Sequence, residues 1–192
     1  MTRIDWSDGH WTNEPENVES DGDALLVTAR ESSDAWRTTA YGFVHDTEHA
    51  LLAPLPAGTA MEVTFTGAFT GEFDQAGIFV RVDDETWTKA GVEYADGALQ
   101  LGAVVTDRMS DWSVAPVAEW AGHRITVRAS RAGDAVTIRA RVDDEPFRLV
   151  RLAPLDPHVE VEAGPLICGP TRPGLTVRFE SWTTGPSDAA LH

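Results

Sequence analysis

Ala135-Val136-Thr137-Ile138-Arg139-Ala140-Arg141-Val142 alternates apolar and polar residues from Val136 onward, placing Val136, Ile138, Ala140 and Val142 on one face. A period of two marks a strand with one face buried, whereas a helix would bring apolar residues back at intervals of three and four. A Gly133-Asp134 turn signal precedes this run, and beyond it lies a second one, His123-Arg124-Ile125-Thr126-Val127-Arg128. Further out the pattern returns in Ala24-Leu25-Leu26-Val27-Thr28-Ala29, Met61-Glu62-Val63-Thr64-Phe65-Thr66 and Leu175-Thr176-Val177-Arg178-Phe179-Glu180-Ser181-Trp182. Asp21-Gly22, Asp96-Gly97 and Gly185-Pro186 supply further turns. No stretch carries a helical period; Ser113 to Trp120 is interrupted by Pro116 and holds at most one turn of helix. Ala53-Pro54-Leu55-Pro56-Ala57-Gly58 joins strands rather than domains. Many short strands with turns at regular intervals predict one all-β domain over residues 1–192, a sandwich or a barrel rather than a parallel α/β sheet. Its core is expected over about residues 5–183, with a frayed tail after Trp182.

Composition narrows the function classes. A chain of 192 residues can bury a core without staples, and its single cysteine, Cys168, excludes an intrachain disulfide and a thiol-based metal site. The net charge of −16 argues against nucleic acid and anionic membranes as partners, both of which are held by Lys and Arg clusters. A neutral ligand such as a sugar is compatible with that charge. Met1-Thr2-Arg3-Ile4-Asp5-Trp6 has no apolar signal region, and no apolar run is long enough to cross a bilayer. The expected setting is a reducing cytoplasm. Among 15 basic residues only Lys89 is a lysine, and it falls inside a predicted strand, where a long cation is least expected.

That strand and the one before it hold the densest cluster of chemistry. In Phe73-Asp74-Gln75-Ala76-Gly77-Ile78-Phe79-Val80-Arg81, alternation turns Ile78 and Val80, with Val82 beyond, to the core, and Gln75, Gly77, Phe79 and Arg81 to the other face. In Trp87-Thr88-Lys89-Ala90-Gly91-Val92-Glu93-Tyr94, Trp87, Lys89, Gly91 and Glu93 share a face while Ala90 and Val92 point inward. If the two strands pair, one sheet face carries Gln75, Trp87, Lys89 and Glu93 around a hollow left by Gly77 and Gly91. Such a face suits a sugar: an aromatic ring covers the C–H face of a pyranose, while amide, ammonium and carboxylate groups bond its hydroxyls. A solvated outer sheet face would alternate in the same way; the glycines and the lone lysine are what point to a site. A second cluster, Val104 to Ser113, ends a strand, turns, and continues as Ser110-Asp111-Trp112-Ser113. Trp112 there either stacks on a ligand or caps the core while its polar neighbours tie the loop.

Other signatures are weaker. Arg-Val-Asp-Asp-Glu occurs at 81–85 and again at 141–145, which reads as two acidic turns closing strands. The histidines form no tight ligand motif; His45 and His49 are the nearest approach and are expected at the surface, so neither metal nor cofactor is implied. Cys168, between apolar and Pro/Gly residues, is expected to be a buried, inert thiol. Glu93 lacks a same-strand carboxylate partner of the kind a retaining glycosidase needs, though a cross-strand pair with Asp111 stays open.

The ordered set of Asp34-Ala35-Trp36-Arg37, Tyr41-Gly42-Phe43, Phe73-Asp74-Gln75-Ala76-Gly77, Trp87-Thr88-Lys89-Ala90-Gly91-Val92-Glu93, Val104-Val105-Thr106, Ser110-Asp111-Trp112-Ser113, Arg148-Leu149-Val150-Arg151-Leu152 and Cys168-Gly169-Pro170 resembles the regulation-of-enolase family of concanavalin A-like domains. The departures are small: Ala35 stands where an aromatic is more usual and Phe73 where tyrosine is common. The resemblance covers Trp6 to Trp182 and implies a two-sheet jelly roll with a concave face, but no established reaction. Three readings follow. The first is a non-catalytic binding module for a carbohydrate or similar polyhydroxylated metabolite, with Gln75, Lys89 and Glu93 bonding the ligand, Trp87 and Trp112 stacking on it, and Arg151 supporting Glu93. The second is a glycoside-processing enzyme using Glu93 as its acid or base. The third is a regulatory protein that contacts a metabolic enzyme.

Overall fold

Seventeen strands and two short 3-10 turns, Trp6–Asp8 and Ala118–Trp120, make up the computed structural model, which describes residues 1–191. In chain order the strands are β1 (Thr2–Arg3), β2 (His10–Trp11), β3 (Asn17–Asp21), β4 (Ala24–Thr28), β5 (Ala35–Arg37), β6 (Val44–Asp46), β7 (His49–Pro54), β8 (Thr59–Gly67), β9 (Gln75–Arg81), β10 (Thr86–Ala95), β11 (Ala98–Asp107), β12 (Met109–Pro116), β13 (Ile125–Ala132), β14 (Ala135–Val142), β15 (Arg148–Pro154), β16 (Glu162–Cys168) and β17 (Thr176–Pro186). The back sheet runs β15-β14-β13-β8-β17-β4-β3, with β1 added on β17; the front sheet runs β12-β11-β10-β9-β16-β7-β2. Every pairing within the two sheets is antiparallel. The chain folds as an antiparallel jelly-roll sandwich.

Alternation sets the two faces of each sheet. Val136, Ile138 and Ala140 of β14 meet Ala76, Ile78 and Val80 of β9 and Ala90 and Val92 of β10 in the core between the sheets. Trp120, Trp182, Phe65 and Phe179 are fully buried there, each phenylalanine contributing on the order of 2–3 kcal/mol by leaving water. On the far side of the front sheet a smaller apolar layer forms from Phe79, Trp87, Val104, Leu166, Cys168, Ala50, Leu52 and Ala35. β9 is therefore buried on both faces along nearly all its length. A strand in that position needs no polar side, and this accounts for the apolar run Ala76 to Val80.

The cover over that second face is the β5–β6 hairpin, which pairs with neither sheet. Its tip carries positive φ at Thr38, Ala40 and Gly42, and is closed by Thr38 and Gly42 amides donating to the Phe43 and Thr38 carbonyls at 2.7 Å. The hairpin is moored at both ends. The Arg37 amide donates to Ser110 Oγ at 2.9 Å, and Asn13 Nδ2 donates to the Asp46 carbonyl at 3.0 Å.

Two expectations are corrected. Thr183 to Pro186 do not fray: they continue β17 against β8, and Asp188 beyond them is gripped by Arg128 at 2.9 Å and Arg139 at 3.0 Å. One half-buried tail carboxylate shared by two guanidinium groups is a stronger tether than the sequence pattern conveys. His49 is 1% exposed rather than at the surface, accepting from the Arg30 amide through Nε2 and facing the Asn13 carbonyl through Nδ1.

Candidate functional site

Register lines up the front sheet's outer face in four rungs. Cys168, Gln75, Glu93 and Gln100 stand opposite one another across β16, β9, β10 and β11. The next rung is Leu166, Gly77, Gly91, Gly102 and Val114. Phe79, Lys89, Val104 and Trp112 follow, then Arg81, Trp87, Thr106 and Ser110. The three adjacent glycines are a packing requirement. A Cβ on Gly77 would lie 2.0 Å from the Ala90 carbonyl oxygen, and one on Gly102 would lie 2.1 Å from that of Ser113.

The bare rung decides where Lys89 goes. Lys89 Nζ reaches Asp34 Oδ1 at 2.7 Å, and Gln75 Nε2 meets the same oxygen at 3.3 Å. Phe79, which faces Lys89, is four residues from Gln75, a Cα span of about 13 Å along a strand. For both side chains to touch one oxygen, the lysine stem must lie across the glycine rung. Asp34, just before β5, is thus the counter-ion that lets a cation sit in a residue only 5% exposed. Burial works against the Lys89 charge, but Asp34, with Cys168 and Glu93 behind it, overcomes this and raises the pKa, so the ammonium stays charged. A cationic lysine is a hydrogen-bond donor, not a nucleophile.

Glu93 lies beyond the same hollow. Its Oε1 is buried and takes no hydrogen bond from the described residues. Burial pushes its carboxyl up to about 7; Lys89 pulls the other way, and Asp34 and Glu72 add to the rise. Lys89, Glu93 and Asp34 form the charged floor of a cavity of about 60 Å³ walled by Trp36, Phe43, Phe73 and Trp112. Gln75 borders the adjoining recess over Gly91 and Gly102. Trp112 is 39% exposed on the edge strand β12 and faces this outer side. It does not cap the core, and the segment read as a loop is a strand from Met109 onward.

Two of the expected site residues lie elsewhere. Trp87 has the right face, but it is 6% exposed, packs against Phe79 with ring centroids 5.4 Å apart, and borders a different cavity beyond the hairpin. Arg151 does not support Glu93: it bonds Asp111 Oδ2 at 2.7 Å and Ser113 Oγ at 3.2 Å. The cause is parity on β12, where Asp111 and Ser113 pair with the inward-facing Val105 and Ala103 while Trp112 faces out. Sequence reasoning missed Asp34, Trp36, Phe43 and Phe73. All four stand in segments that carry the family resemblance, and Lys89 was the chemical signal, since a buried lysine needs an acid and the segment starting at Asp34 offers one. Cys168 is fully buried and its thiol pKa is pushed well up by burial, which makes it unreactive.

Residues 11–187 match the family described as Protein of unknown function (DUF1349). The chain belongs to this family. It is 36% identical over 187 residues, 97% of this chain and 94% of the relative, to "Regulation of enolase protein 1" of Saccharomyces cerevisiae. Among solved structures, "a functionally unknown protein from Saccharomyces cerevisiae" superposes with a TM-score of 0.90 at 33% identity, covering 97% of this chain and all of that one. The GH43 protein BlXynB from Bacillus licheniformis matches at a TM-score of 0.71 and 10% identity over 92% of this chain and 36% of its own, a likeness of fold alone. No helix of the described residues is long and apolar enough to cross a membrane.

Proposed function

We propose that this family member binds a small polyhydroxylated ligand, a sugar or similar metabolite, in the Trp112 cavity without transforming it. The observation that carries the reading is Glu93 Oε1, a buried acceptor with no donor among the described residues, in a cavity whose walls are aromatic rings. A buried carboxylate oxygen left unmatched is costly, and a ligand hydroxyl would satisfy it. Lys89 keeps ammonium protons beyond the one given to Asp34, and Trp112 offers an exposed indole to the C–H face of a ring. The enclosed volume of about 60 Å³ takes one edge or one substituent of a pyranose, not a polymer in mid-chain. Binding is favoured over Glu93-based hydrolysis because the acids that would partner Glu93 are committed to cations, Asp34 to Lys89 and Asp111 to Arg151. A cytoplasmic setting belongs to the same reading, supported by the free thiol of Cys168.

Calorimetric titration with a panel of neutral mono- and disaccharides tests this. Binding of at least one sugar, weakened tenfold or more by Trp112→Ala and by Glu93→Gln, is expected. No binding across the panel, or binding indifferent to both substitutions, rejects it. A second reading, a protein partner, is supported by the exposed side chains of Tyr41, Phe43 and Val44 at the hairpin and by the yeast relative's printed name. Stoichiometric capture of one metabolic enzyme, lost in a Tyr41→Ser/Phe43→Ser variant, would favour it.

A further inference from the structure

The β5–β6 hairpin leaves a second and larger hollow on its other side. This cavity of about 300 Å³ falls at the lower end of the range for small-molecule sites, roughly 300–1,000 Å³. We propose that it is a separate ligand site for a carboxylated sugar or a comparable polyhydroxylated acid.

Its lining differs in kind from the Trp112 cavity. Phe79 and Trp87, their rings tilted by 34° at 5.4 Å, border it with aromatic carbon, and Arg37 and Arg81 bring two guanidinium groups among the acids Asp46, Glu48 and Asp84 in a chain of net charge −16. Arg37 is largely spent: its nitrogens donate to the Arg108 and Asp84 carbonyls and to Glu85. Arg81 is not. Among the described residues its only side-chain bond goes from Nη2 to Asp84, an acid whose side chain is 82% exposed. Exposed ion pairs of this sort contribute little to stability, so an incoming carboxylate displaces Asp84 at small cost and gains a two-point guanidinium contact.

The remaining polar groups suit hydroxyls. Glu48 borders the cavity, is 6% exposed, and has no cation within ion-pair distance among the described residues. Burial pushes its carboxyl up to about 7, opposed by bonds from its own amide and Thr12 and by the charges of Lys89 and Arg81, so near neutrality it both donates and accepts. Asn13 spends its Nδ2 on the Asp46 and Glu48 carbonyls, leaving Oδ1 as an acceptor. Together these offer a carboxylate contact at Arg81 and hydroxyl contacts at Glu48 and Asn13, in a cavity that also presents aromatic carbon.

The test is calorimetric titration of D-glucuronate and of D-glucose into the full chain and its variants. Glucuronate should bind the wild type and weaken about tenfold or more in Arg81→Gln, with Arg81→Lys between the two. Trp112→Ala, which dismantles the other cavity, should leave glucuronate affinity within about twofold. Thermal melting reads whether each variant is folded; Arg81 lies at the end of β9 with one exposed partner, so its melting temperature should hold. Absence of glucuronate binding, equal affinity in Arg81→Gln, or loss of glucuronate binding in Trp112→Ala would each overturn the assignment. Failure of neutral sugars to bind bears on the Trp112 cavity alone.

Discussion

Glu93→Gln exchanges a carboxyl with a pKa of about 7 for an amide of nearly the same shape. The ordinary value is 4.5, and the rise comes from burial, with Asp34 and Glu72 adding to it and Lys89 opposing it. Between pH 4.5 and 7 the unfolded chain has released this proton while the folded chain still holds it. The folded state then binds more protons, so the stability owed to this group falls as pH rises through the window and the loss is complete above pH 7. At 1.36 kcal/mol per pKa unit, the shift amounts to on the order of 3 kcal/mol. Glutamine does not titrate, so the stability of Glu93→Gln relative to wild type should grow by about that amount across the window. The comparison isolates Glu93, because Glu48, which titrates in the same range, and the repulsion within a −16 chain are common to both proteins. Urea unfolding followed by tryptophan fluorescence from pH 5 to 8 measures it, staying above the isoelectric point of 4.6, where solubility is lowest. A stability difference that stays constant with pH, or shrinks as pH rises, would refute the claim that Glu93 is held in a desolvated site.

Lys89→Met removes the cation from Asp34 and should cost about 3 kcal/mol in urea unfolding; adding Asp34→Asn to the same chain should recover part of that, giving a measurable coupling energy. Gly77→Ala places a methyl group 2.0 Å from the Ala90 carbonyl oxygen and should cost about 3 kcal/mol or prevent soluble expression, whereas Gly97→Ala, with open space around it and only an unfavourable φ to bear, should cost about 1 kcal/mol. Arg172→Ala strips the cation from Asp74, which is 0% exposed and paired at 2.5 Å, and should lower stability by about 3–5 kcal/mol in calorimetric unfolding, with sugar binding unchanged in the fraction that folds.

The sandwich was legible because its strands are long enough for alternation to show. β8, β13, β14 and β17 each run eight residues or more, and a slip of one residue would turn their whole apolar set to water. The hairpin that shapes the site was not legible, and its length is the reason. β5 and β6 have three residues each, too few for a period, and Trp36 within β5 and Tyr41 and Phe43 between the strands look like ordinary loop aromatics. The same hairpin hides Trp87: parity gives its face correctly, but only the cover over that face makes it a packed residue instead of a stacking platform. Arg151 failed differently. Its partner is set by the distance between two sheet edges, β12 and β15, and no pattern within either strand encodes that.

What joins fold to site is the row of glycines. Side chains at 77, 91 and 102 would fill the middle of the outer face and hold Lys89 on its own rung, where the apolar side chains of Phe79 and Val104 flank it. With the row bare, the ammonium crosses to Asp34, and the ion pair in turn holds the root of the hairpin that covers the face. The hairpin then divides one open surface into two cavities: a small one with two carboxylates and a lysine under aromatic walls, and a larger one where two guanidinium groups and the acids Asp46, Glu48 and Asp84 surround an aromatic pair. Refilling the row would therefore disturb both cavities together, because Lys89 would lose its path to Asp34. Substitutions at Trp112 or Arg81 leave that ion pair in place and should act on one cavity each.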